Sequence, residues 1–113
     1  MRILIVDDDA DSAESQAILL RLDGHEALTL PDGRTALAAV ATFEPHVVML
    51  DIGLPDMDGY EVAWRLKQSG CTARLIAITG YGRAEDRKRA REAGFDEHLL
   101  KPVDPHSLAQ LFT

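Results

Sequence analysis

Five short apolar runs recur along the chain, each followed by a turn and then by a segment with helical spacing. They are "RILIV" (2–6), "HEALTL" (25–30), "HVVML" (46–50), "RLIAIT" (74–79) and "HLL" (98–100). Consecutive strands joined through a helix pair in parallel by right-handed crossovers, so the alternation predicts an α/β domain built on one parallel sheet. Runs one, three and four are apolar at successive positions, as strands covered by helices on both faces must be. Runs two and five alternate or are very short, and belong at the edges. The order 2-1-3-4-5 meets these conditions and reverses direction between strands one and three. In open parallel sheets ligands bind beyond the carboxyl ends of the strands at such a reversal, a rule established on proteins of this very strand order.

The helical segments carry start and stop signals. Asp9 is placed to cap the first, in which Ala13, Ala17, Leu20 and Leu22 are expected to face inward and Gly24 to end the helix. The second follows "PDGR", carries Leu37, Val40 and Ala41 and ends before Pro45; the third follows "DMDG", carries Val62, Trp64 and Leu66 and ends at Gly70. The fourth, "AEDRKRAREA", ends at Gly94. Its basic run Arg83, Arg87, Lys88, Arg89 and Arg91 reads as a solvated face supported by pairs such as Glu85 with Arg89. The last helix, opening in "DPHSLAQLF", stops after about two turns. Residues 1–113 are therefore expected to form one domain with its last helix truncated.

A chain of 113 residues can bury one core without disulfide or metal support. Its formal net charge of −7 disfavours non-specific attraction to nucleic acid or to an anionic membrane face. Cys71 is the single cysteine, so no internal disulfide can form and a reducing compartment suits the chain. The apolar runs are too short to span a bilayer and the N-terminus lacks the pattern of a signal peptide, so a cytoplasmic location is expected. His25, His46, His98 and His106 do not share the spacing of zinc ligands.

The chemistry lies at the carboxyl ends of the strands. Strand one delivers Asp7 and Asp8, strand three Asp51, strand four Thr79, and strand five Lys101 just before Pro102. Carboxylates crowded at one strand end repel unless a cation stands between them, and an all-oxygen set suits a hard divalent ion such as Mg²⁺. Asp7 and Asp8 are read as holding it. Asp51 can then attack phosphorus, with the charge on the phosphoryl oxygens neutralised by the ion, the Lys101 ammonium and the Thr79 hydroxyl. Taken singly, each residue has an ordinary explanation: acids before a helix are often a solvated cap, Asp51 precedes the turn-forming "GLPDMDG", and Thr79 and Lys101 stand where a strand end and a surface lysine would. The conjunction at one end of four strands outweighs those readings.

The motifs "VDDD", "MLDIGLPDMDGYE", "AITG" and "LLKPVD" together resemble the receiver domain of two-component response regulators, over essentially the whole chain. The resemblance implies a flavodoxin-like (βα)5 fold. It makes Asp51 the phospho-acceptor, gives Asp7, Asp8, Asp51 and the Gly53 carbonyl to Mg²⁺, places Thr79 and Lys101 on the phosphoryl group and makes the Lys101–Pro102 bond cis. It implies phosphoryl transfer from a sensor histidine kinase or a histidine phosphotransfer protein, with a phosphoacceptor role rather than turnover as an enzyme; no direct nucleic-acid contact and no membrane insertion are expected from the net charge and the short apolar runs. The stretches "DIGLPDMDGYEVAWRLK" and "ITGYGRAEDRKRAREAGFDEHLLKPVD" lean toward the receiver of a hybrid kinase over a stand-alone regulator.

Two departures from the family pattern matter. The switch residue three places before Lys101 is usually Tyr or Phe and is here His98, expected to move with Thr79. Two places after Asp51 and Thr79 stand Gly53 and Tyr81, neither of which orients a water as an amide or carboxylate would, so slow loss of the phosphoryl group is expected. An aspartyl-phosphate phosphatase would need a general acid at Gly53, and a flavin-binding relative would need a phosphate-binding loop where "DDDADS" repels phosphate.

Overall fold

The computed structural model describes residues 1–80 and 84–112, with the side chains of residues 84–86 outside the description. Five strands and five helices alternate: β1 (Arg2–Val6), α1 (Ala10–Leu22), β2 (Glu26–Leu30), α2 (Gly33–Phe43), β3 (Val47–Asp51), α3 (Gly59–Gln68), β4 (Arg74–Thr79), α4 (Ala84–Ala93), β5 (Glu97–Leu100) and α5 (Pro105–Gln110). All pairings are parallel and the order is β2-β1-β3-β4-β5, as the hydrophobic pattern requires.

The two faces of the sheet carry two separate cores. Ile3, Ile5, Val47, Met49, Ile76 and Ile78 point to the side covered by Ala13, Ala17 and Leu20 of α1 and Leu108 of α5. Leu4, Val6, Val48, Leu50, Leu75 and Ala77 point to the side covered by Ala36 of α2, Val62, Ala63 and Leu66 of α3 and Ala90 of α4. This period-2 division explains why the central runs are apolar at every interior position. β2 and β5 are only partly buried, as edge strands are.

Four helices begin on an aspartate whose carboxylate accepts a backbone N–H of the first turn: Asp9 from Ser12, Asp32 from Thr35, Asp58 from Tyr60 and Asp104 from Ser107. Gly24, Gly70 and Gly94 end α1, α3 and α4 at positive φ. The inward assignment of Leu22 is corrected, and Trp64 of α3 also turns outward. Leu22 is 78% exposed and Trp64 55% exposed, because each falls off the buried stripe that Ala13, Ala17 and Leu20, or Val62 and Leu66, define. Arg89 pairs with Asp58 at 3.1 Å, whereas the side chain of Glu85, its expected partner, lies outside the described residues. No helix among the described residues is long and apolar enough to cross a membrane.

Candidate functional site

Each central strand ends in a polar residue or runs directly into one, because the helices no longer cover the sheet there. β1 hands over to Asp7, 5% exposed, and Asp8, which is exposed; β3 ends on Asp51, 4% exposed. One carboxylate oxygen of each lies within 4.8 Å of the others. Asp7 is fixed from both sides: its N–H donates to the Leu30 carbonyl at 3.0 Å, and its Oδ1 accepts from the Asp9 N–H at 2.9 Å. Asp51 Oδ1 accepts from the Gly53 N–H at 3.0 Å, and Asp51 Oδ2 accepts from Lys101 Nζ at 2.9 Å.

Lys101 reaches the cleft because the chain turns immediately after β5. Its N–H donates to the Thr79 carbonyl at 2.8 Å, and the Lys101–Pro102 peptide is cis, as expected. Burial works against the ammonium, but the hydrogen bond and charge of Asp51, aided by Asp7 and Asp8, outweigh it and hold Lys101 above its ordinary 10.5. Burial raises Asp7 above its ordinary 3.8, and Asp51 adds to that rise, against the Asp9 N–H and Lys101. Three carboxylates thus face one ammonium, and the surplus of negative charge is stored in all-oxygen donors. That donor set fits Mg²⁺.

Thr79 ends β4 and is 5% exposed; Asp51 registers with Ile78, so Thr79 stands one residue farther out on the adjacent strand. His98 registers with Ala77, on the same sheet face as Thr79, and borders a cleft of about 320 Å³ with Arg87, Ala90 and Arg91 of α4. The structure therefore gathers Asp7, Asp8, Asp51, Gly53 and Lys101, sets Thr79 beside them, and puts His98 between β5 and α4. Tyr81 lies outside the described residues.

Sequence reasoning missed what holds the loop between β3 and α3. Asp56 crosses to α2 and accepts from the Gly33 and Arg34 N–H groups, both at 3.0 Å. Arg89 bonds Asp58 at 3.1 Å and lies 4.2 Å from the centre of the Tyr60 ring, joining α4 to the start of α3. Gly59 permits the loop to close, because a Cβ there would meet Ile52 Cα at 2.6 Å and the Asp51 carbonyl oxygen at 2.9 Å. Only the glycine left a signal, as one of the "DMDG" turn residues; the other contacts join residues more than twenty positions apart.

The five-stranded parallel sheet of order 2-1-3-4-5 has counterparts among known proteins. The family described as response regulator receiver domain matches residues 3–113. The chain belongs to that family. The DNA-binding response regulator MtrA of Mycolicibacterium paratuberculosis is 36% identical over 107 residues, which are 95% of this chain and 47% of MtrA. The sensor histidine kinase RcsC of Escherichia coli is 34% identical over 113 residues, all of this chain and 12% of RcsC. A response regulator receiver domain protein, CheY-like, from Methanospirillum hungatei superimposes with a TM-score of 0.90 at 32% identity, covering 97% of this chain and 88% of that one. The receiver thus spans about half of MtrA and a small part of RcsC, and its fold and signalling class are those of two-component receivers.

Proposed function

We propose that this receiver accepts a phosphoryl group on Asp51 from a phosphohistidine of a sensor histidine kinase or a histidine phosphotransfer protein. The observation that carries the reading is the buried Asp51 carboxylate with Lys101 Nζ at 2.9 Å and two further carboxylates within 4.8 Å. In the transfer, an Asp51 oxygen bonds to phosphorus as the phosphorus–nitrogen bond to the donor imidazole breaks, and the electron pair returns to that nitrogen. The Gly53 N–H, already on Asp51 Oδ1, steers the other oxygen toward the donor. Lys101 leaves its contact with the carboxylate for the incoming phosphoryl oxygens, and the Thr79 hydroxyl supplies a further donor. Asp7, Asp8, Asp51 and the Gly53 carbonyl would hold Mg²⁺, which when bound neutralises charge on the phosphoryl oxygens. A cytoplasmic setting fits the lone Cys71. The test is the appearance of one acid-labile phosphate on Asp51 when the chain meets a phosphorylated donor and Mg²⁺; absence of any label overturns the reading.

Turnover as a phosphatase is not favoured. The place two residues after Asp51 is Gly53, which offers no acid to protonate a leaving alkoxide. The same vacancy governs the lifetime of the phosphoryl group. A Cβ at Gly53 would meet only Asp51 Oδ1, at 3.8 Å, so an asparagine fits and can hold a water toward phosphorus. Gly53→Asn is expected to speed decay of the phosphorylated chain about tenfold, the equivalent of about 1.4 kcal/mol. Equal decay of wild type and variant would show that this position does not control hydrolysis.

Thr79 and His98 are assigned as the pair that reports phosphorylation to the α4 face. His98 Nε2 is buried and has no hydrogen-bond partner among the described residues, an arrangement that favours a ring able to turn. The expected result is that His98 imidazole NMR signals move on phosphorylation in the wild type and stay in Thr79→Ala. Signals unmoved in the wild type would remove His98 from the switch.

A further inference from the structure

The loop from Ile52 to Asp58 carries Gly53 over Asp51, so how it is held decides the geometry at the acceptor. Its start is tied to β4, where the Ile52 N–H donates to the Ile78 carbonyl at 3.0 Å, and its end closes back on that start, where the Gly59 N–H donates to the Ile52 carbonyl at 3.1 Å. Between those ends Leu54 is buried, and the lateral tie is Asp56. Its two carboxylate oxygens take separate N–H groups of α2, Oδ1 from Gly33 and Oδ2 from Arg34. Asp32 takes the next one, that of Thr35, at 2.8 Å. The helix thus has an ordinary cap of its own, and Asp56 is an additional fastening from a different part of the chain.

This fastening is short and stiff. Pro55, with its φ fixed by the ring, and buried Leu54 are all that separate Asp56 from Gly53. Gly33 sits so close to the loop that a Cβ on it would meet Met57 Cβ at 3.3 Å and Val62 Cγ2 at 2.7 Å, so α2 and the loop have no slack. The two hydrogen bonds that the exposed Asp56 carboxylate accepts are directional, so they fix position as well as adding stability. We propose that Asp56 is a positioning residue for phosphoryl acceptance: by gripping the N-terminus of α2 it sets the Gly53 backbone relative to Asp51 and Asp8. The inference rests on the reading of Asp51, Asp8 and Gly53 given above.

The test measures Mg²⁺ dissociation constants by titration calorimetry, and Tm in chelator, for the whole chain as wild type, Asp56→Ala, Asp56→Asn and Asp32→Ala. Removing a group that orients metal ligands weakens metal binding by roughly tenfold or more, and Asp56→Ala is expected to do so. Asp56→Asn keeps one acceptor for two donors and falls between, which also carries the test if the alanine variant does not fold. Asp32→Ala uncaps the same helix without touching the loop, so its Mg²⁺ affinity stays within about twofold of wild type even where its Tm drops as far. Equal weakening in Asp32→Ala and Asp56→Ala, or none in either Asp56 variant, overturns the positioning role while wild-type binding stands. A wild type that binds no Mg²⁺ overturns the site reading and this inference together.

Discussion

Asp51→Asn is expected to reduce phosphate incorporation to background while leaving the fold intact. A carboxylate oxygen attacks phosphorus with a lone pair and a full charge; the amide that replaces it has neither to give. The structural balance is close to even. The asparagine oxygen can still accept the Gly53 N–H, but its NH₂ group would face Lys101 Nζ, so the lysine loses its partner. That loss is softened because the Lys101 side chain is 39% exposed and can turn to water, and it is offset by the removal of a like charge beside Asp7. Tm is therefore expected to stay within a few degrees of wild type or to rise. Mass spectrometry of both chains after exposure to a phosphorylated donor decides the first point and thermal unfolding the second. Undiminished labelling of the variant would place the nucleophile elsewhere.

Mg²⁺ is expected to raise Tm strongly, and the rise to vanish in Asp8→Ala. Asp7, Asp8 and Asp51 are held close together in the folded chain and scatter when it unfolds, so a cation binds the native state alone. At 100 times its dissociation constant such a ligand adds about 2.7 kcal/mol, roughly 10 °C in a domain of this size. The pH dependence follows from Asp7, whose pKa burial and Asp51 raise above 3.8. A folded-state pKa raised for an acid means that the folded chain binds the proton more tightly than the unfolded one. Without the ion, this group's contribution to stability therefore falls as pH climbs through the window between 3.8 and its raised value. With the ion the sign reverses, since the proton competes for the same oxygen and the Mg²⁺ increment shrinks as pH falls through that window. Thermal scans with Mg²⁺ and with chelator across mildly acidic pH measure both slopes. A Tm indifferent to Mg²⁺, or raised equally in Asp8→Ala, would sink the metal assignment.

The architecture and the gathering of Asp7, Asp8, Asp51 and Lys101 were legible in the sequence, because both follow from local rules. Apolar runs of strand length between helical segments force a parallel sheet, and a sheet covered on both faces forces its strand order. Once the order stands, every residue that follows a strand lies at one edge of the sheet, so the position of a side chain along the chain becomes its position in space. The capping aspartates Asp9, Asp32 and Asp104 are local in the same sense, each bonding an N–H three residues on. What the tertiary structure decided concerns contacts between segments far apart in sequence. "GLPDMDG" reads as a turn-forming stretch, and nothing in it says that Asp56 faces α2, that Asp58 meets Arg89 of α4, or that Gly59 is needed because Ile52 Cα leaves no room for a Cβ. The outward turn of Leu22 and Trp64 was hidden for a related reason. Hydrophobicity marks a residue as fit for burial, but a helix buries only the stripe that its packing angle against the sheet selects, and that angle is set by the neighbours.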